Sequence, residues 1–125
     1  MFQWFEKPSR RWLVWGAFIV LWTVLLVIPM PTSGPIARMP VGRKYILTKS
    51  VHVCAYGLFA VLTGWLSVRP RYRWLLLFVV MAHGTATELI QFYFTSRDGN
   101  LDDVGFDNFG VLLGLIISWK WWTRE

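Results

Sequence analysis

Three sets of polar side chains recur at helical spacing in an otherwise apolar chain of 125 residues. Lys49, His52 and Tyr56 follow one another at three and four residues, Glu88 and Gln91 lie three apart, and Asp103 and Asp107 lie four apart. On helices, each set occupies a single face. An imidazole beside a carboxylate can move protons, and paired acids near Lys or Arg can hold a phosphate through a divalent ion. Lys49 and Arg97 supply positive charge to Glu88, Asp103 and Asp107, while His52, Tyr56, Gln91 and Asn108 extend a hydrogen-bond network. These nine residues form the candidate pocket.

Structural roles compete with the chemical ones. Glu88 also fits an ion pair that only holds helices together, and His52 fits a helix-start or interface position. His83, five residues before Glu88, lies on a different helical face and is expected to pack in the core. Asp98 and Asp102 read as a turn and helix-cap pair, and Gly110-x-x-x-Gly114 as a site of close helix approach within the chain. The chain contains no HExxH, phosphate-loop or Gly-x-Ser-x-Gly motif. No cofactor is called for, but a magnesium site of one or two carboxylates leaves no motif, so a divalent cation stays open. Cys54 is the sole cysteine, which rules out an intrachain disulfide and a cysteine-based metal site.

The elements that position these residues are apolar segments. Apolar residues make up 55% of the chain, with nine Trp and nine Phe, more bulky aromatic surface than a small water-soluble core could hide. Segments at about 12–28, 50–68, 74–94 and 104–119 predict an all-α, polytopic membrane protein, a single domain of four transmembrane helices in a compact bundle. The third, roughly 31 Å long at 1.5 Å per residue, covers a hydrocarbon core of about 30 Å. The fourth is short and also fits a buried or re-entrant helix. The connection 30–49, with its prolines, reads as a polar lid or extended loop. The N-terminal segment, preceded by Lys7, Arg10 and Arg11, reads as a retained signal anchor.

The formal charge of +6 does not point to nucleic acid, because the basic residues fall between the apolar runs and form no stripe. With four spans, eight Lys and Arg lie on the side of the termini and five on the other, so both termini are predicted cytoplasmic. Trp12, Trp65, Trp74 and Trp119 then mark the inner interface, and all three polar sets sit toward the outer one. Carboxylates there need partners or water, which predicts a pocket opening outward.

The stretches KSVHVCAYGLF at 49–59 and ELIQFYFTSRDGNLDDVGFDNFGVLLG at 88–114 resemble the VanZ-like family of small membrane proteins. The family pattern is Lys-x-x-His with Tyr four further on, then Glu-x-x-Gln, an Arg, an Asp six beyond it, Asn four after that, and Gly-x-x-x-Gly. Lys49, His52, Tyr56, Glu88, Gln91, Arg97, Asp103, Gly110 and Gly114 fall in step with it. Thr48 replaces a common Asp, and Asp107 stands at the usual Asn position with Asn108 next to it. The resemblance implies four or five membrane helices in the bacterial cytoplasmic membrane and a cell-envelope setting, one member being known to lower susceptibility to a lipoglycopeptide.

Three functions follow as expectations. The first is an envelope protein that binds or shields a lipid-linked envelope precursor or lipoglycopeptide in the outward pocket. The second is a membrane hydrolase or transferase acting on a phosphorylated lipid or glycan. The third is a structural or accessory subunit. Membrane lipids are the expected partners in each, and the oligomeric state is not legible.

Overall fold

The structure is a computed structural model that describes residues 3, 6–28, 31–94 and 101–124. The described residues form six helices and no strand: α1 (Pro8–Val27), α2 (Gly34–Ala37), α3 (Val41–Trp65), α4 (Pro70–Phe94), α5 (Leu101–Ile117) and α6 (Trp119–Trp122).

Proline sets several of these boundaries. Pro8 and Pro70 open α1 and α4, where a missing amide costs nothing and the fixed φ suits a helix. Both helices therefore start a turn earlier than the apolar runs at 12 and 74, and carry their arginines in the first turns. Ile28, which precedes a proline, is extended (φ −69°, ψ 146°), and α1 ends there. The expected open loop at 30–49 is corrected: it holds the single turn of α2, and α3 begins at Val41, immediately after Pro40. Once past the last proline, the polar residues around Lys44 are good helix formers and continue the same helix beyond its apolar portion. At the other end α3 stops at Trp65, short of the expected 68, and Leu66 turns extended.

The fourth apolar segment also divides differently from its expected 104–119. Asp102 and Asp103 lie in the first turn of α5, where negative charge meets the helix dipole favourably. Ser118 then breaks the helix, donating its hydroxyl to the Gly114 carbonyl at 2.6 Å, and α6 follows as a separate turn.

Three helices, α1, α3 and α4, are long and apolar enough to cross a membrane, with mean hydropathy of 1.6, 1.5 and 1.5 over their best stretches. Their outward faces carry exposed Leu13, Leu21, Leu58, Leu75 and Phe78, a belt that lipid covers better than water. The 17 residues of α5 span about 26 Å, and this helix packs against both α3 and α4.

The closest packing is between α3 and α5. A Cβ added at Gly110 would come within 2.9 Å of Val53 Cα, and one at Gly114 within 2.9 Å of Ala60 Cβ. Absent side chains thus let the two backbones touch, the intramolecular approach expected of this glycine pair. Trp22, Tyr56, Phe59, Val80 and Val111 fill the core between α1, α3, α4 and α5, with Phe18 and Phe59 ring centroids 4.5 Å apart.

Gly16, by contrast, has nothing within 4 Å of an added Cβ. Gly114→Ala is expected to lower unfolding stability in mixed micelles by about 1–3 kcal/mol through overpacking. Gly16→Ala is expected to leave it unchanged or raise it by less than about 1 kcal/mol.

Candidate functional site

Two rungs of charge bridge α3 and α5. Lys49 pairs with Asp103, and one turn further along His52 Nδ1 donates to Asp107 Oδ1 at 2.8 Å. The three-residue step on α3 meets the four-residue step on α5, so both rungs form only where the helices run side by side. Lys49 also lies 5.0 Å from the Tyr45 ring centroid and 5.7 Å from that of Phe106, where aromatic faces favour a cation.

Glu88 approaches from α4, placing Oε1 4.0 Å from His52 Nδ1. One ligand atom from each of His52, Glu88 and Asp107 lies within 4.8 Å of the others. All three are buried, at 5%, 2% and 2% exposure. One imidazole and two carboxylates can relay protons or coordinate a divalent ion.

The remaining candidates separate by role. Gln91 Nε2 donates to the Leu26 carbonyl at 2.6 Å, satisfying an acceptor in the last turn of α1. Tyr56 is fully buried, and its hydroxyl lies 3.2 Å from His83 Nδ1. His83 Nε2 is 2.7 Å from Thr23 Oγ1, which itself donates to the Ile19 carbonyl. Because Thr23 uses its proton on Ile19, the consistent tautomer has His83 Nε2–H donating to Thr23 and Nδ1 accepting from Tyr56. His83 thus keeps the packing role expected of it, and also ties α1, α3 and α4 together through hydrogen bonds. Thr23, a polar residue in the middle of the most apolar segment, was the sequence signal for this chain.

Asn108 is corrected. It is exposed, because one step along a helix turns a side chain by about 100°. Asp107 takes the inward position and Asn108 faces away. Arg97 and Asp98 lie outside the described residues.

A cleft of about 300 Å³ opens between α1, α2 and α3. Trp22, Leu26, Ile36, Leu47 and Val51 give it apolar walls, and Lys44, Thr48 and His52 lie at intervals of four along its α3 side. His52, whose Nδ1 is held by Asp107, also lines this cleft. The Trp22 ring stands edge-on to the imidazole at 5.5 Å.

The opposite end of the bundle uses its charge differently. Buried Arg73 donates through Nη1 to the carbonyls of Trp121 and Arg124 at 2.7 and 2.6 Å, and Arg11 donates to the Trp65 carbonyl at 2.8 Å. These arginines satisfy helix C-termini, a structural use. Trp74 packs there edge-on to Trp119 and at a tilt to Trp122, with ring centroids 6.5 and 5.0 Å away.

No protein-family model, no curated protein and no solved structure matches this chain. The likeness to the VanZ-like family therefore rests on the residue pattern alone.

Removing one member of a buried ion pair leaves the other charge uncompensated. Lys49→Met or Asp103→Leu alone is expected to cost about 3 kcal/mol of stability in mixed micelles, and the Lys49→Met/Asp103→Leu double variant less than either. Additive losses in that double-mutant cycle would show that the pair is not coupled.

Proposed function

We propose that this chain is a multi-pass protein of the bacterial inner membrane that hydrolyses or transfers a phosphorylated head group carried on an envelope lipid. The observation that carries the reading is the buried His52–Asp107–Glu88 centre meeting, at His52, an apolar cleft between helices long enough to span the bilayer. In this reading α5 is the fourth crossing, both termini are cytoplasmic, and the charged rungs lie toward the outer leaflet.

The cleft supports a lipid substrate because its walls suit a hydrocarbon chain, while Lys44 suits an anionic head group. The centre supports turnover because it offers an imidazole and two carboxylates to take a proton from an attacking water or hydroxyl. The new bond forms at phosphorus, the ester P–O bond breaks, and the leaving oxygen takes up a proton. Burial makes each charge more effective than it would be in water.

A second reading is binding or shielding of a lipid-linked precursor or lipoglycopeptide without turnover. It is favoured by the lack of a serine or cysteine nucleophile at the centre among the described residues. Cys54 is exposed, and the Thr87 hydroxyl donates to the Gly84 carbonyl at 2.9 Å.

Purified protein in lipid nanodiscs, given phosphatidic acid or a prenyl phosphate, is expected to release phosphate or a transfer product. Glu88→Gln is expected to slow this about 10²–10⁴-fold with little shift in the thermal midpoint, and His52→Ala to slow it as much with a lowered midpoint, because Asp107 loses its buried partner. Saturable lipid binding with no product, lost in the same variants, would favour shielding. Neither binding nor product would reject both.

A further inference from the structure

We infer that His52, Glu88 and Asp107 bind one divalent transition-metal ion. This deepens the reading above by naming a cofactor for the same centre, but binding can be measured without turnover.

Three observations converge. The first is donor geometry. Metal bonds of about 2.0–2.2 Å place ligand atoms roughly 3–4 Å apart, and one donor atom from each of these side chains already lies within 4.8 Å of the others. The donors come from α3, α4 and α5, so helix packing brings them together rather than a local run of acids.

The second is an unanswered oxygen. Asp107 Oδ1 accepts from His52, but Asp107 Oδ2 is buried and receives no hydrogen bond. It faces α4, 3.1 Å from where a Cβ on Gly84 would stand, one turn before Glu88. Burying an anionic oxygen without a donor costs stability. A cation bound at His52 Nδ1, in place of the proton that this nitrogen otherwise gives to Asp107, would answer it.

The third is burial itself. Exposed acids gather on many protein surfaces without binding anything, whereas these side chains are withdrawn from solvent. An imidazole with two carboxylates suits manganese, iron or zinc better than magnesium or calcium, which take oxygen ligands. A metal here would supply positive charge for a phosphate oxygen and lower the pKa of a bound water. Both are useful next to a lipid phosphate.

The test uses full-length protein in detergent, stripped by chelator and titrated with Mn²⁺ or Zn²⁺. One ion per chain is expected, with nitrogen coupling from the imidazole in the Mn²⁺ electron spin-echo spectrum and a raised thermal midpoint. Asp107→Asn and Glu88→Gln should lose binding, while Asp102→Asn, an exposed acid on the same helix, should retain it. The wild-type nitrogen coupling keeps the test decisive if the variants fold poorly. No saturable binding in the wild type, or binding without nitrogen coupling, would overturn the inference. Turnover without a metal would overturn it while sparing the proposed function, and metal binding without turnover on any lipid phosphate would do the reverse.

Discussion

A carboxylate inside an apolar helix bundle must find its counter-charge or hydrogen bonds within the protein, and most of this structure follows from that requirement. Asp103 and Asp107 on α5 find them on α3, in Lys49 and His52. The rungs between the two helices form only if the backbones lie close together, which Gly110 and Gly114 permit. Filling either glycine would push α5 away from Val53 and Gly57. The same change would stretch the charged pairs, so packing and electrostatics at this interface stand or fall together.

The two ends of the bundle solve the problem in different ways. At one end Arg11 and Arg73 donate to backbone carbonyls where helices stop, surrounded by tryptophans. Their guanidinium groups meet acceptors fixed by the backbone and hold the ends of α3 and α6. At the other end acidic and basic side chains face one another across three helices, and His52 looks into a cleft. Side-chain pairs can exchange a partner for a ligand with far less backbone movement than a capped helix end. This difference is why the acidic end is the reactive one in the proposed function.

The spacing of Lys49, His52, Tyr56, Asp103 and Asp107 was legible from sequence because helical periodicity alone predicts shared faces. The close approach at Gly110 and Gly114 was legible for the same reason. The direction of Asn108 required the helix register relative to α3, which one sequence does not carry. Gln91 was placed in the pocket but serves the Leu26 carbonyl, a backbone acceptor that no side-chain pattern reveals. The link from Tyr56 through His83 to Thr23 joins residues 27 and 60 positions apart, and so depends on tertiary packing. The early start of α3 departs from the loop that the prolines of this connection predict, because the chain past Pro40 is free to be helical and a helix can continue from hydrocarbon into the head-group region. The cleft under α2 arises from that extension.

The central claim is that a lipid phosphate reaches His52. The chain has two histidines, and His83, tied to Tyr56 and Thr23, serves as an internal control. Phosphorus-to-nitrogen dipolar recoupling by solid-state NMR can compare them, using histidine labelled with nitrogen-15 in bilayers containing phosphatidic acid. The account predicts dephasing of the His52 imidazole by lipid phosphorus and none at His83. Silence at both histidines, or dephasing at His83 and not at His52, would contradict it.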